Sequence, residues 1–361
     1  MAKATRKYQI IVDWINERIA ANELQPKDKL ESEFEVASRF GVSRQTVRHA
    51  FSILENEGKI ESIQGSGSYV RENDPIVYST EKSRTIMIIS TYVNSYIFSS
   101  TIQGMEKVLA RGGWDIQIVF THNQFETERN ILKKILAGPN MAGLIIEPTM
   151  SGLPNPNRTY YDQIIERNIP IVFFNSFYTN MDIPHVSIND VQAGYVAAKY
   201  LIDHGHTEIG GIFKADDGQG PRRFSGYYEA LCQNGLKLNE KKVIWIDTEE
   251  QREFELSKDR ILGRLKGCSA CICYNDVVAH NLTKLCLQED IRIPEVLSIV
   301  SIDNSELAEL NKTPLTSIIH PSKKLGERTA ENLIRRIEDP SFDANYEFET
   351  KLVERDSVLF L

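Results

Sequence analysis

Two arginines one helical turn apart, Arg44 and Arg48, follow a Gly41-Val42-Ser43 turn. At 100° per residue they share a face with Gln45, His49 and Ser52, while Val47, Ala50, Phe51 and Leu54 fall on the other. Arginine can donate two bonds to guanine O6 and N7, and the major groove admits a helix. A lone pair of arginines on a helix is often just a solvated face. Here a turn precedes them and a glycine-bearing hairpin follows, which favours DNA. A second set of chemically capable residues lies further along, at the ends of apolar runs. Tyr96 and Phe98 come after "IIST", Glu147 after "GLII", Asn175 after "IVFF", and Lys214 and Asp216 after "GGIF". Asn275 and Asp276 follow "CICY", Asp303 ends "IVSI", and His320 follows "TSII", with Arg223 nearby. Any one polar strand end is explained by its meeting water. Seven strand ends with carboxylates and aromatics point instead to a lined polar cleft. Ionised carboxylates only accept hydrogen bonds, so they suit a ligand rich in donors. Lys214 and Arg223 supply donors in return, and Phe98 offers a flat apolar surface to a sugar ring. A phosphorylated ligand would want more cations and fewer acids. The residues support a small neutral sugar or polyol.

Elements must position both sets. Ile10, Ile11, Trp14, Ile15 and Ile19 recur at helical spacing and predict a first helix over 8–21. Pro26 and Asp28 break the chain. Ser32 and Glu35 then form a capping box that opens a short helix ended by Gly41. Ser43 caps a third helix running to about Glu57, stopped by Gly58. "KIESIQGSGSYV" predicts two short strands around a glycine-bearing tip, where Gly65 and Gly67 allow close approach to a duplex backbone. This is a helix-turn-helix with a β-hairpin wing. A polar stretch over 72–83 reads as a linker. From Arg84 onward strand-like runs such as "TIMIIST", "DIQIVF", "GLIIEP", "PIVFFN", "EIGGIF", "KVIWID", "ACICYND" and "VLSIVSID" alternate with helical stretches. Those stretches fall near 99–111, 126–137, 190–204, 221–234, 276–289 and 322–338. Such alternation predicts parallel sheets flanked by helices, and roughly 275 residues suit two lobes around a cleft. The expected division is 1–71 for the head, 72–83 for the linker and 84–361 for the body.

Composition sets bounds on function. The net charge of −8 argues against a nucleic-acid binder if spread evenly over the 361 residues. Residues 1–70 hold ten Lys/Arg and ten Asp/Glu, leaving 32 basic and 40 acidic residues for the rest. The head is therefore neutral, and a neutral domain binds DNA when its cations cluster. No apolar run reaches the roughly 18 residues that span a bilayer. The opening residues lack the apolar core of a secretion signal, so a cytoplasmic protein without membrane association is expected. Five cysteines, an odd number, argue against a disulfide framework. Cys268-Ser-Ala-Cys271 has the spacing of a metal or redox pair, but no second pair completes a zinc site, and a buried strand explains it better. No metal or cofactor is expected. Neither a nucleophile elbow nor a Walker loop is present, so no catalytic residue is expected either. A sugar-modifying enzyme and a sugar-sensing receptor remain the alternatives.

The pattern "LESEFEVASRFGVSRQTVRHAFSILENEGKIESIQGSGSYV" resembles the GntR-type winged helix-turn-helix. That resemblance implies DNA contacts from Glu33, Arg44, Gln45, Thr46, Arg48 and the wing residues Gln64, Gly65 and Gly67, with Lys7 on phosphate. Glu31 replaces the usual proline, and Phe34 stands where many members carry a basic residue. "YIFSSTIQGMEKVLARGGWD", "GLIIEP", "SINDVQAGYVAAKYLIDHGHTEIGGI", "RFSGYYEAL", "CYNDVVAHNL", "IPEVLSIVSIDNS" and "LTSIIHP" resemble the LacI-type regulators and periplasmic sugar-binding proteins. By position in those motifs, Phe98, Arg223, Asp276, Asp303 and His320 match ligand contacts of that family. The fold implied is a winged helix-turn-helix joined to a two-lobed, periplasmic-binding-protein-like α/β domain. A GntR-type head on a LacI-type body resembles the repressors that answer to L-arabinose. It implies L-arabinose as effector, operator DNA as partner and a homodimer, with a repressor answering to a different monosaccharide as the alternative.

Overall fold

The chain forms two compact units, Met1–Lys82 and Ser83–Leu361. The computed structural model describes residues 7–21, 23–56, 59–63, 66–70, 83–92, 96–139 and 141–361. Gln64, Gly65 and the expected linker, apart from Ser83, lie outside the described residues.

In the first unit, α1 (Lys7–Ala20), α2 (Glu33–Phe40) and α3 (Arg44–Asn56) precede the antiparallel pair β1 (Ile60–Ile63) and β2 (Gly67–Val70). The capping box forms: the Ser32 hydroxyl accepts from the Glu35 N–H, and the Glu35 carboxylate accepts from the Ser32 N–H at 2.7 Å. Gly41 ends α2 in the left-handed region at φ 59°. Val47, Ala50, Phe51 and Leu54 are buried, as their spacing on α3 requires, against Ile11, Ile15 and Val36. Residues 27–30 run beside β2, with Leu30 N–H donating to the Ser68 carbonyl and Val70 N–H to that of Asp28.

The second unit has two lobes. In chain order come β3 (Thr85–Ser90), α4 (Ile97–Arg111), β4 (Asp115–Phe120), α5 (Phe125–Ala137), β5 (Gly143–Ile146), α6 (Arg158–Glu166), β6 (Ile171–Phe174) and β7 (His185–Ile188). The second lobe continues with α7 (Asp190–Asp203), β8 (Ile209–Lys214), α8 (Gln219–Gln233), β9 (Val243–Ile246), α9 (Thr248–Arg252), α10 (Lys258–Leu265), β10 (Ala270–Cys273), α11 (Asp276–Gln288), β11 (Ser298–Asp303), α12 (Glu306–Leu310) and β12 (Thr316–Ile319). The chain then returns through α13 (Ser322–Glu338) and β13 (Tyr346–Phe348) to the first lobe and ends its last strand, β14 (Leu352–Val353), in the second. The strand orders are β13-β7-β6-β5-β3-β4 and β14-β12-β11-β10-β8-β9. All pairs are parallel except β12–β14.

Both faces of each sheet are covered, so successive strand residues enter different cores. Ile86 and Ile88 pack on one side of β3, Met87 and Ile89 on the other. Cys271 and Ile272 divide in the same way in the second lobe. Cys268 belongs to that apolar core too, and burial pushes its thiol up to about 11. No described helix is long and apolar enough to cross a membrane.

Candidate functional site

On the first unit, α3 presents Arg44, Gln45 and Arg48 outward while its other side holds the core. Ser43 fixes the start of α3: its hydroxyl accepts from the Thr46 N–H at 3.2 Å and lies 2.9 Å from the Thr46 hydroxyl. Glu33, at the start of α2, receives Arg48 through Nε at 3.1 Å and Nη2 at 3.0 Å. Arg44 Nη2 lies 3.9 Å from the same carboxylate. The Arg44 and Arg48 side chains remain 66% and 71% exposed, so Glu33 aims the guanidinium groups without covering them. This pairing raises the Arg48 pKa. Gly67 has φ 125°, and a side chain there would meet the Lys29 Cε at 2.9 Å, so the wing needs glycine at this place. Lys7 is the first residue of α1, and its side chain lies outside the described ones. Glu31 makes a fork with Arg39 at 2.8 and 3.0 Å, and Phe34 is 69% exposed.

On the second unit, a cavity of about 380 Å³ lies where the carboxyl ends of the parallel strands of both sheets face each other. That is within the size range of small-molecule sites and at the place where open α/β sheets bind ligands. Eight residues expected at the cleft line it: Tyr96, Phe98, Glu147, Asn175, Lys214, Arg223, Asn275 and Asp303. The charged residues of the lining are Glu147, Asp217 and Asp303 against Lys214, Arg223 and Arg252, a balance with no cationic excess for a phosphate.

Each side chain has a physical reason for its pose. Gly194 and Gly226 let α7 and α8 approach so closely that a Cβ on either would fall within 2 Å of the other helix's backbone. That approach seats Arg223, whose Nε donates to Asp190 Oδ1 at 2.9 Å and Nη1 to the Tyr274 carbonyl at 2.5 Å. Burial works against the charge on Arg223, but Asp190 and Asp303 outweigh it and raise its pKa. Lys214 is likewise buried, yet Asp217 at 2.7 Å and Asp216 hold its pKa above the usual range. Glu147 accepts from the Ser90 hydroxyl, the Thr91 N–H and hydroxyl, and Asn175 Nδ2 at 3.0 Å. Its acceptors are thus filled, and it orients Asn175. Asn175 and Asp303 both end strands with positive φ, 62° and 112°, a strained backbone that turns them toward the cleft. Tyr96 reaches from the first lobe to donate to Asp303 Oδ2 at 2.6 Å. Burial pushes the Asp303 carboxyl up to about 7, with Arg223 pulling the other way.

Four buried polar atoms on this lining have no hydrogen-bond partner: the Tyr92 hydroxyl and the acceptors Asn175 Oδ1, Gln251 Oε1 and Asp303 Oδ1. Native structures leave few such groups, and each costs about 1–3 kcal/mol unless something donates to it.

Three expected contacts stand elsewhere. Asp216 does not line the cavity; its Oδ2 accepts the Thr248 N–H at 3.0 Å and hydroxyl at 2.5 Å, and the neighbouring Asp217 takes the wall. Asp276 is fully buried and accepts from Ser301, Ser305 and Ser317, tying α11 to the second sheet. His320 is buried against Ser322, with Nδ1 2.8 Å from its hydroxyl, and burial brings its pKa down to about 3, so it is neutral. In each case the side chain next to a strand end is spent on a helix start: Asp216 on that of α9, Asp276 on that of α12 and His320 on that of α13. Lining residues the sequence reading passed over include Tyr92, Asn123, Thr248, Gln251, Arg252 and Tyr274. Two of the runs already recognised as strands, β4 and β9, carry Asn123, Thr248 and Gln251 just beyond their ends; reading those ends as well would have found them.

Residues 7–70 match the family described as bacterial regulatory proteins, gntR family, and residues 198–358 match the periplasmic binding protein-like domain. The chain is 35% identical to the arabinose metabolism transcriptional repressor of Halalkalibacterium halodurans, over 97% of this chain and 96% of that one. It is 35% identical to the protein of the same name from Geobacillus stearothermophilus, over 93% and 91%. Among solved structures, the complex of the transcriptional regulator CelR with cellobiose aligns at a TM-score of 0.69 and 20% identity, covering 91% of this chain and all of that one.

Proposed function

The chain belongs to the family of arabinose metabolism transcriptional repressors, and from that premise we propose that it is a repressor released from operator DNA by L-arabinose. A sugar-responsive repressor has a head that reads DNA and a body that binds the sugar. We assign these roles to residues 1–71 and 84–361, joined by 72–83. Arg44, Gln45, Thr46 and Arg48 would meet the major groove, with Glu33 aiming the arginines. Lys7 and the wing residues Gln64, Gly65 and Gly67 would meet the backbone. In the cleft, Tyr96, Phe98, Lys214, Arg223, Asn175, Asn275 and Asp303 would hold the sugar, with Glu147 behind Asn175.

The observation that carries the effector reading is the pair of buried acceptors without a hydrogen-bond partner, Asn175 Oδ1 and Asp303 Oδ1, the latter only 3.7 Å from Arg223, beside a charge-balanced and aromatic lining. A ligand that satisfies them brings hydroxyl donors and no net charge. Two near-palindromic half-sites call for two heads, so the working form is a homodimer. A repressor works where its DNA is, in the cytoplasm. The machinery is that of a regulator and not of an enzyme: two of the cleft's three acids are spent on orienting neighbours, Glu147 on Asn175 and Asp217 on Lys214, which leaves Asp303 without a second carboxylate free to act as its acid–base partner.

The test is a gel shift with the chain's own upstream DNA at fixed salt, titrated with L-arabinose, D-xylose, D-galactose and D-ribose. Release by L-arabinose alone is expected. Release by another sugar and not by L-arabinose would overturn the effector.

A further inference from the structure

The segment that follows β9 is held from both lobes. Asp216 grips the Thr248 N–H and hydroxyl from the second lobe. From the first lobe, Asn123 Nδ2 donates to Thr248 Oγ1 at 2.9 Å, and the Arg252 guanidinium lies 5.6 Å from the Tyr92 ring centre. The Asp247 carboxylate caps α9 by accepting from the Glu250 N–H at 2.8 Å. With both ends of α9 tied, Gln251 is carried on a fixed backbone into the cavity lining, and its Oε1 is buried with no partner. An amide oxygen can only accept, so what it lacks is a donor.

We propose that Gln251 is a specificity-determining contact of the effector, accepting a hydrogen bond from one hydroxyl of a neutral sugar while α9 clips the two lobes over it. This rests on the reading of the cleft as a sugar site. A buried acceptor penalises the analogue that lacks the matching hydroxyl, because the acceptor is then left unpaired. Gln251 therefore reads the presence of one hydroxyl. It also disfavours a ligand carboxylate at the same place, since two acceptors cannot pair.

The test is calorimetry on the full chain with L-arabinose and its 2-, 3- and 4-deoxy analogues, comparing the unaltered chain with Gln251→Met and Gln251→Glu. One deoxy analogue is expected to bind the unaltered chain about tenfold more weakly than L-arabinose, the size of one lost hydrogen bond. That penalty should vanish in Gln251→Met, which binds L-arabinose about tenfold more weakly, and persist in Gln251→Glu, which keeps an acceptor. If the unaltered chain binds L-arabinose but every deoxy penalty survives in Gln251→Met, Gln251 reads no hydroxyl and the inference falls alone. If the unaltered chain binds no L-arabinose, the inference falls together with the effector reading.

Discussion

The head and the body each centre on an arginine paired with a carboxylate, and the two pairs sit in opposite surroundings. Glu33 and Arg48 lie in water, the guanidinium 71% exposed. Asp190 and Arg223 are 1% and 2% exposed, sealed between α7 and α8. An exposed pair gains little and exchanges easily. Arg48 can therefore be handed from Glu33 to a base at small cost. A buried pair cannot be opened without leaving an unpaired charge. Arg223 is thus a fixed part of the cleft wall, and a ligand would meet it already placed. The same chemistry makes a transferable contact in one unit and a fixed one in the other.

Breaking the fixed pair should have the largest effect. Arg223→Leu leaves Asp303 without its cation and Asp190 with only Arg222, 3.7 Å away, and should cost about 3–5 kcal/mol of stability. It should also abolish sugar binding; thermal melting and calorimetry measure the two. Asp276→Ala follows, at about 3 kcal/mol, because Ser301, Ser305 and Ser317 lose a shared charged acceptor. That variant should lower the melting temperature and leave a weak repressor. A stable variant locked on DNA would return Asp276 to the ligand site.

A pH series sharpens the account of Asp303. The empty body holds this proton between about pH 4 and 7, where an unfolded aspartate has lost it, so its stability falls as pH rises through that window. A sugar hydroxyl donating to Oδ1 favours the carboxylate form, so L-arabinose affinity should rise from pH 6 toward about pH 8. Asp303→Asn should flatten the profile, and an unchanged slope in that variant would assign the proton elsewhere. The smallest effect on the fold is expected for Arg48→Ala. It should weaken operator binding about tenfold or more, if the side chain reads a base, and leave the melting temperature and sugar affinity unchanged.

The sequence made much of this legible for identifiable reasons. Ser32 with Glu35, Gly41 and the α3 periodicity are local signals, and the structure places the helices within a residue or so of where they predict. The long α/β alternation gave the sheets. The strands β7, β13 and β14 were not anticipated, because HVSI, YEF and LV lack the unbroken apolar run that marks four-residue strands such as β5, β6 and β10. In the cleft, strand ends located the wall but could not say which neighbour faces it. Asp216 and Asp217 are adjacent and differ only in which way the chain turns after β8. Asp276 follows Asn275 but begins a helix, so its carboxylate goes to Ser301, Ser305 and Ser317 instead of the cavity. Those choices depend on contacts distant in sequence, which spacing does not encode.

Coupling between the two units is the central claim, and calorimetry of L-arabinose binding with and without saturating operator tests it most directly. If sugar releases DNA, operator must weaken sugar binding by the same factor, about 5- to 150-fold for a typical coupling. Equal affinity in the two titrations would contradict a sugar-controlled repressor.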